Sequence, residues 1–255
     1  MEQNLSKKTR TESDLIGSRE VPESALYGVQ TLRGIENFRI SKFHLNEYPL
    51  FIQALAITKM GAAVANRELD LLTEEQADAI LKACKEILEG KHHDQFPVDM
   101  IQGGAGTTTN MNANEVIANR ALELMGHQRG EYQYCSPNDH VNRSQSTNDA
   151  YPTAIHIGLY YTHLKLVKHF EVLIESFRKK ATEFAHVIKM GRTQLEDAVP
   201  MTLGQTFNGF ASILRHEVKN LDFAAQDFLT VNMGATAIGT GITAEPEYAE
   251  KCIAA

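Results

Sequence analysis

The chain has 255 residues, enough for one large domain or two smaller ones with a substantial buried core. Hydrophobic residues make up 43% and charged residues 22%, an ordinary globular composition that excludes a disordered or fibrous protein. The formal charge is −7, so the average surface repels a phosphate backbone and nucleic acid is not an expected partner.

Cysteine use and hydropathy exclude further classes. Cys84, Cys135 and Cys252 are far apart, odd in number and outside any Cys/His cluster. A disulfide framework and a structural zinc site are therefore not expected, and reduced thiols of a cytoplasmic protein are the simplest interpretation. The polar N-terminus lacks the apolar run of a signal peptide. The most apolar stretch, residues 50–65, carries Lys59 and is too short to span a membrane comfortably, so no membrane partner is expected.

The first half of the chain predicts helices joined by loops. Residues 16–40 are punctuated by glycine and proline and are expected to be irregular. Only residues 38–43 hint at an alternating strand. Apolar residues at helical spacing predict helices over residues 50–69 and 111–125.

A helix with clear boundaries lies between the first two. Thr73 and Gln76 match a capping box, in which each side chain satisfies a backbone N–H of the other residue. The following helix places its apolar residues on one face and ends at Gly90, which suits the position just after a helix. Gly126 ends the next helix in the same way.

Two long helices follow. From Pro152, a residue well placed at a helix start, apolar residues recur every three or four positions for roughly 35 residues. A second rod covers residues 203–228, and the two suit antiparallel helices of a bundle. The predicted fold is mostly α, with a mainly helical N-terminal domain over residues 1–145. The long helices of a central bundle begin the second domain, over residues 146–255.

The end of the sequence has the pattern of a connection followed by a new helix. Residues 234–246 are loop-like, and helical spacing resumes at Glu247. Because a finished domain rarely stops where a helix begins, we expect a truncated chain.

Three segments have a composition that is unusual for both core and surface. Residues 103–115 (GGAGTTTNMNANE) combine small residues, which let the backbone approach a ligand, with hydroxyls and amides. A helix that starts near Thr108 or Thr109 would also point free N–H groups at an anion. A glycine-rich turn that caps a helix explains the same composition equally well.

The other two segments also lie at predicted helix ends. Residues 144–149 (SQSTND) place hydroxyls and an amide before Pro152, a pattern that taken alone more often indicates an N-cap. In residues 191–200 (GRTQLEDAVP), Arg192 could hold a carboxylate with two hydrogen bonds, or be a surface arginine in a helix–helix loop. Together the three segments offer many neutral donors, which could grip a dicarboxylate without a cofactor.

These segments resemble the signatures of the aspartase/fumarase superfamily, in the same order along the chain. The resemblance extends from about residue 16 to residue 240. Within the superfamily the strings LMGHQRGEYQY, PNDHVN and NDAYP look most like aspartate ammonia-lyases. Class II fumarases usually have His where Gln194 stands, although some aspartases share that His.

The resemblance implies an activity and an assembly. The reaction would be the reversible elimination of ammonia from L-aspartate, which gives fumarate through an aci-carboxylate intermediate. No cofactor would be required, although a divalent cation activates some aspartases. The family assembles as a homotetramer whose long helices form a central bundle, and each active site gathers residues from three chains.

The catalytic base is expected outside this sequence. In the family it is a serine of a mobile loop with the pattern G-S-S-x-M-P-x-K-x-N, which these 255 residues do not contain. We expect that loop beyond Ala255 and the fragment alone to be inactive. His127 and His140 are interpreted as ordinary supporting residues rather than as replacement bases.

The resemblance also assigns site residues. Six are expected to bind substrate: Thr107, Ser146, Thr147, Asn148, Thr193 and Gln194. The first three would grip the carboxylate next to the lost proton, and the others the amino group and the second carboxylate. Five more are expected to support the site: Asn110, Asn112, Asn138, Asp139 and Arg192. Asn138 and Asp139 match a segment that lines a second carboxylate site in fumarases, but a structural role is the preferred interpretation.

Two alternatives to an ammonia-lyase remain open. One is fumarate hydratase or another lyase of the superfamily that releases fumarate. The other is a non-catalytic helical assembly module, which is what a naturally truncated chain would be, since fold resemblance does not prove activity.

Overall fold

The structure is a computed structural model that describes residues 8–255, and within them it is mostly helical. The α-helices are α1 (Val29–Asn37), α2 (Pro49–Glu68), α3 (Glu74–Leu88), α4 (Thr107–Leu124), α5 (Thr147–Glu183), α6 (Leu203–Ala225) and α7 (Tyr248–Ala254). The strands are β1 (Thr9–Asp14), β2 (Gly17–Pro22), β3 (Ile188–Thr193) and β4 (Glu196–Thr202). Shorter turns are the 3₁₀ helices Leu45–Glu47, His93–Gln95 and Gln226–Leu229 and the π-helical Pro137–Val141.

Contacts within the chain define two compact units. The first contains the described residues up to Gly158 together with Val231–Ala255, and the second contains Leu159–Thr230. Helix α5 begins in the first unit and continues in the second. The domain boundary expected near residue 145 stays a prediction.

The core of the first unit lies among α2, α3 and α4, which pack against one another. Ile52 and Leu55 of α2, Ile80 of α3 and Ile117 and Leu122 of α4 are each at most 1% exposed. Burial of such side chains contributes roughly 1.5–3 kcal/mol each relative to exposure. This core therefore holds α4 in place, and the glycine-rich segment lies at the start of that helix.

The helix boundaries read from the sequence are confirmed at α3. The Thr73 hydroxyl accepts the Gln76 N–H and the Gln76 side chain accepts the Thr73 N–H, both at 3.2 Å. Gly90 has φ +87°, and the N–H of Lys91 reaches back to the Glu86 carbonyl at 3.0 Å. The left-handed glycine thus ends the helix and satisfies its last carbonyls.

Helix α1 begins without a cap from its own segment. The carboxylate of Glu115, in the middle of α4, accepts the N–H groups of Gly28, Gln30 and Thr31 at 2.8–3.0 Å. Glu12 of β1 accepts a further N–H of the same turn at 3.0 Å. Both carboxylates are at most 4% exposed, so the donors at this buried helix start are satisfied from remote parts of the chain.

Two expectations for the N-terminal third were wrong. Residues 16–40 are not irregular throughout, since they contain β2 and α1, and β2 pairs with β1 in an antiparallel hairpin. Residues 38–43 do not form a strand. The buried carboxylate of Asp99 holds that segment in place by accepting the backbone N–H groups of Ile40 and Ser41 at 2.8 and 2.7 Å.

The second unit contains the two long rods predicted from the sequence. Phe177 of α5 contacts Phe207 and Phe210 of α6, with ring centroids 6.0 and 5.6 Å apart. Toward the other end of the pair, His163 Nε2 lies 2.9 Å from Asp222 Oδ1. Residues near the end of α5 therefore meet residues early in α6, and residues in the middle of α5 meet residues late in α6, which confirms the antiparallel arrangement.

Pro152 was expected to start its helix, but it does not. Helix α5 begins at Thr147, so the proline lies inside its second turn. Because proline has no N–H, it cannot donate to the carbonyl of Asn148. That carbonyl instead accepts a hydrogen bond from the side chain of Asn232 at 2.9 Å.

The segment between the rods is a β-hairpin rather than the loop that was expected. Strands β3 and β4 pair from Ile188 opposite Thr202 to Thr193 opposite Glu196. The two turn residues, Gln194 and Leu195, have φ +50° and +67°. Left-handed conformation at both positions matches the twist of a two-residue hairpin, although neither is glycine.

The helix expected from Glu247 is present as α7, which packs on α2 and buries Tyr248 completely. In residues 8–255 no helix combines the length and the hydropathy that crossing a membrane requires.

Candidate functional site

The glycine-rich segment forms the start of α4, within the first unit. Gly106 is the N-cap residue, with φ +87°, and a Cβ at this position would overlap the ring of Tyr151. Only glycine therefore lets α4 begin so close to the first turns of α5. Thr107 is the first helical residue and is exposed. Its N–H meets no acceptor among residues 8–255, whereas the Thr109 N–H donates to the Gln102 side chain at 2.8 Å.

A cleft of about 520 Å³ lies between this segment and the start of α5. Its walls include Gln102, the backbone of residues 104–106, Asn148 and Tyr151. The first two segments singled out in the sequence therefore lie beside each other in the fold. The free N–H groups at the start of α4 favour an anion there.

Two hydroxyl groups at the start of α5 each accept a hydrogen bond from within the first unit. Ser146 Oγ accepts the backbone N–H of Asn148 at 3.1 Å. Thr147 Oγ1 accepts from the side-chain amide of Asn110 at 3.3 Å. A hydroxyl that already accepts a bond keeps its own hydrogen for another acceptor. Both residues are partly exposed, so both can donate to a ligand carboxylate.

A buried lysine lies behind these hydroxyls. Lys59 of α2 is 1% exposed. Its ammonium donates to Asn110 Oδ1 at 2.8 Å, to Asn142 Oδ1 at 3.0 Å and to Gln145 Oε1 at 2.8 Å. The three acceptors match the three N–H groups of an ammonium ion. They connect α4 to the segment that carries Ser146.

Burial dominates the electrostatics of this lysine. Removal from water lowers the pKa of Lys59 to about 7, against the opposing negative charge of Asp149. The acceptors around Nζ are neutral amides, which stabilise the ammonium less than a carboxylate in direct contact would. The charge at this position is therefore sensitive to small changes in its surroundings.

Asp149 and Asn148 tie the start of α5 to the segment that returns from the second unit. Asp149 is fully buried and accepts the N–H of Ser146 at 2.9 Å and that of Thr236 at 2.8 Å. Asn148 Nδ2 donates to the carbonyl of Ala237 at 2.8 Å. This bond turns Asn148 Oδ1 away from the carbonyl and leaves it as an acceptor, which suits an ammonium group of a ligand.

The supporting residues expected in the first unit have different surroundings. Asn110 contacts both Lys59 and Thr147. Asn112 faces elsewhere and donates to the Gln95 carbonyl at 2.9 Å. Asn138 and Asp139 form an exposed turn outside the Lys59 cluster.

Three of the expected residues lie in the second unit, on its hairpin. Thr193 ends β3 and Gln194 is the first turn residue; both are exposed. Arg192 pairs with Asp197 across the hairpin at 3.2 Å, with side chains 63% and 67% exposed. An exposed pair of this kind contributes little to stability, so Arg192 can be released for another anion.

Other polar features of the first unit do not include the expected substrate-binding residues. A larger cleft of about 1240 Å³ is lined by residues such as Arg10, Glu23 and Arg129. His127 stacks on Tyr134 with ring centroids 3.8 Å apart. His140 Nδ1 accepts a backbone N–H at 2.7 Å, and burial lowers its pKa. Among residues 8–255, no three His, Cys, Asp or Glu side chains are grouped to hold a metal ion.

Sequence reasoning missed the second layer of this site. Lys59 had been noted only as a charge in an apolar stretch, and Asn142 and Gln145 had not been considered as its partners. The available signal was a lysine at a buried helical position, where an unpaired charge is costly and a polar cluster is required. Its partners, 51 to 86 residues away along the chain, could not be identified from one sequence.

Known proteins match this sequence along nearly its whole length. A family profile described as "Lyase" matches residues 17–255. The chain is 56% identical over 245 residues to an aspartate ammonia-lyase of Escherichia coli K12, covering 96% of this chain and 51% of that relative. It is 58% identical over 240 residues to one of Pseudomonas fluorescens, covering 94% and 50%.

Solved structures show the same fold. A fumarate lyase:delta crystallin from Brucella melitensis bound to cobalt superimposes with a TM-score of 0.92 at 51% identity, over 97% of this chain and 54% of that one. A class II fumarase from Schistosoma mansoni gives a TM-score of 0.90 at 36% identity, over 96% and 51%. The chain spans about half the length of the curated relatives it matches. The profile match covers nearly all of its residues, and the chain therefore belongs to this lyase family.

Proposed function

We propose that the full-length protein is an aspartate ammonia-lyase, a carbon–nitrogen lyase of amino-acid metabolism that converts L-aspartate to fumarate and ammonia. The observation that carries this proposal is the pair of hydroxyls of Ser146 and Thr147, each of which already accepts one hydrogen bond and donates its own hydrogen to no acceptor among residues 8–255. Similarity to curated aspartate ammonia-lyases at 55–58% identity supports the choice of substrate.

The chemistry requires donors of this kind. Loss of the Cβ proton of aspartate gives an aci-carboxylate that carries an additional negative charge on its oxygens. Groups that bind this species more tightly than they bind the substrate lower the barrier. Fixed hydroxyl and backbone donors act without reorganisation, and each contributes about 3 kcal/mol by analogy with oxyanion holes. Thr107, Ser146 and Thr147 are proposed to be these donors.

The remaining groups would hold the other end of the substrate. Asn148 offers a free side-chain oxygen to the amino group. Thr193 and Gln194 are proposed to bind the second carboxylate, with the exposed hairpin turn as their mounting. The base is assigned to no residue of this chain, since the serine loop of the family is absent from the sequence. No step of this scheme requires a cofactor.

Assembly as a homotetramer is part of the proposal. Val172 of α5 and Ile213 and Phe223 of α6 are 69%, 61% and 82% exposed, an arrangement of large apolar side chains that favours a partner surface. Copies of the chain would cover these faces and complete each site. Light scattering after size-exclusion chromatography measures the mass; a monomer would contradict the shared site. A cytoplasmic location is proposed because Cys84, Cys135 and Cys252 are free and buried.

A substrate comparison tests the activity. The full-length product of the gene is given L-aspartate or L-malate, and the ultraviolet absorbance of fumarate is followed. The assay is run with and without a divalent cation, because an activating cation is part of the hypothesis. Fumarate from aspartate alone supports the ammonia-lyase, whereas fumarate from malate alone refutes it. No fumarate from either favours a non-catalytic assembly module.

Fumarate hydratase is the second candidate, and similarity to the Schistosoma mansoni fumarase favours it. Gln194, where class II fumarases usually have a histidine, argues against it. If malate is the substrate, Gln194 does not exclude hydratase chemistry.

A further inference from the structure

We propose that Lys59 is a positioning residue that, through Asn110, fixes the Thr147 hydroxyl as a hydrogen-bond donor to the substrate carboxylate. The inference rests on the proposed function for its kinetic test. Lys59 itself would touch neither substrate nor reacting atoms, because it is 1% exposed on α2 and lies one side chain behind the hydroxyl.

The first step concerns the orientation of the amides. A lysine ammonium has three donors and no acceptor. Each side-chain amide in contact with Lys59 must therefore turn its oxygen toward Nζ and its NH₂ group away. The contacts agree: the oxygens of Asn110, Asn142 and Gln145 lie 2.8–3.0 Å from Nζ. The Gln145 NH₂ group, turned away, donates to the Val141 carbonyl at 3.0 Å. Without the lysine, Asn110 Oδ1 would lose its donor, and of the two bonds that Asn110 Nδ2 donates only the one to Asn142 Oδ1, at 3.1 Å, would still require the present orientation.

The second step transfers that orientation to the hydroxyl. With Asn110 Oδ1 held by Lys59, Asn110 Nδ2 faces Thr147 Oγ1 at 3.3 Å and can only donate to it. Thr147 must then direct its own hydrogen elsewhere. If Asn110 were reversed, its oxygen would attract that hydrogen and the hydroxyl would no longer donate to a carboxylate. The lysine thus sets the direction of a chain of hydrogen bonds that ends at the ligand.

The third step is the placement of the partners. Asn110 belongs to the helix that Thr107 starts, whereas Asn142 and Gln145 precede Ser146 along the chain. One buried charge therefore joins the two substrate-binding segments of the first unit. Apolar packing could link the two segments without the desolvation cost of a buried charge. The need to fix the direction in which the Thr147 hydroxyl donates gives a reason to retain the charge.

Asn110→Asp separates positioning from folding. Aspartate keeps an oxygen for Lys59, and the pair becomes an ion pair, so the fold should persist. Aspartate has no donor, however, and its second oxygen would accept the Thr147 hydrogen. The variant is assayed in the full-length protein below pH 7, where Lys59 carries its proton.

We expect Asn110→Asp to lower kcat/KM for L-aspartate by about tenfold or more. In a Thr147→Val background, which lacks the hydroxyl, the same change should lower kcat/KM less than about twofold. Thr107→Val is the matched control, because Thr107 is the other threonine donor and its hydroxyl makes no hydrogen bond with the Asn110 side chain, whose amide donates to Asn142 and Thr147. In that background the effect of Asn110→Asp should remain in full. An undiminished effect in the Thr147→Val background would overturn the proposal.

A second measurement does not depend on activity. In Lys59→Met, or in Lys59→Gln if the methionine variant does not fold, amide hydrogen exchange of residues 107–112 and 142–149 should accelerate. Helix α3 (Glu74–Leu88) serves as the internal reference and should be unchanged. If the wild-type protein does not act on aspartate, the proposed function fails, and this experiment still tests whether Lys59 holds the two segments together. Unaltered exchange in both segments would refute it.

Discussion

The buried lysine gives the first unit a dependence of stability on pH. Burial lowers the pKa of Lys59 from 10.5 to about 7. Between these values the folded protein has released this proton and the unfolded chain still holds it. Since stability rises with pH wherever the unfolded state binds more protons, the free energy of unfolding should increase above pH 7. Between pH 7 and about pH 8.5 this one group adds about 1–2 kcal/mol.

The cysteines set the upper limit of the useful range. Burial raises the pKa of Cys84 and Cys135 from 9.0 to about 12, and that of Cys252 to about 11. An acid with a raised pKa has the opposite sign, because the unfolded chain loses its proton first. Above about pH 9 the thiols therefore lower stability as pH rises, and the lysine is best measured below that value.

Urea unfolding followed by circular dichroism measures this effect. Wild type, Lys59→Met and Lys59→Gln are compared across the range, with Lys82→Met as the control because Lys82 is exposed. Wild type and Lys82→Met should gain about 1–2 kcal/mol between pH 7 and about pH 8.5, and the Lys59 variants should not. The same gain in a Lys59 variant would show that Lys59 is not a buried charge of lowered pKa.

Three further predictions concern local structure. The bidentate contact with Arg120, at 2.6 and 2.8 Å, lowers the pKa of Glu86 to about 2. The stability that this ion pair gives to the folded protein should be present above about pH 4.5 and lost toward pH 2. In urea titrations, Glu86→Gln should lower the free energy of unfolding by about 1–2 kcal/mol at pH 7 and should abolish this loss of stability in acid. A variant that loses stability in acid as wild type does would contradict the prediction. Gly106→Ala should lower the unfolding free energy by about 2 kcal/mol or more, through backbone strain and overlap with Tyr151; an unaltered melting temperature would refute the overlap. At Leu195, with φ +67°, melting temperatures should rank Gly above Leu above Val, and a valine variant as stable as glycine would exclude left-handed strain.

The long elements of the fold could be predicted because their signals are local. Spacing of apolar residues and the reciprocal Thr73–Gln76 cap define α3 to within a residue. The same spacing gave both rods and their antiparallel arrangement. Such patterns depend on neighbours along the chain, which a single sequence contains.

The missed elements depend on distant parts of the chain. Helix α1 obtains its N-terminal acceptors from Glu115 and Glu12, so its own residues carry no capping signal. The hairpin between the rods turns at Gln194 and Leu195, which lack the Asn-Gly pattern that marks such turns. Pairing with the opposite strand, rather than residue type, stabilises it.

The candidate site also has features that the sequence indicates and features that depend on distant parts of the chain. Thr107, Ser146 and Thr147 were assigned by resemblance, and their roles remain predictions. The hydrogen-bond direction at Thr147 depends on Lys59 and Asn110, which come from two other helices. Only tertiary structure shows which hydroxyl has a free hydrogen.

The most direct test of the account is the kinetics of Thr147→Val in the full-length protein. Valine keeps the shape of the side chain and removes the hydroxyl. If Thr147 donates to the aci-carboxylate, kcat/KM for L-aspartate should fall by about 10²- to 10³-fold, while loss of the bond from Asn110 lowers the melting temperature only slightly. A value within about twofold of wild type would contradict the donor role, and with it the proposed site.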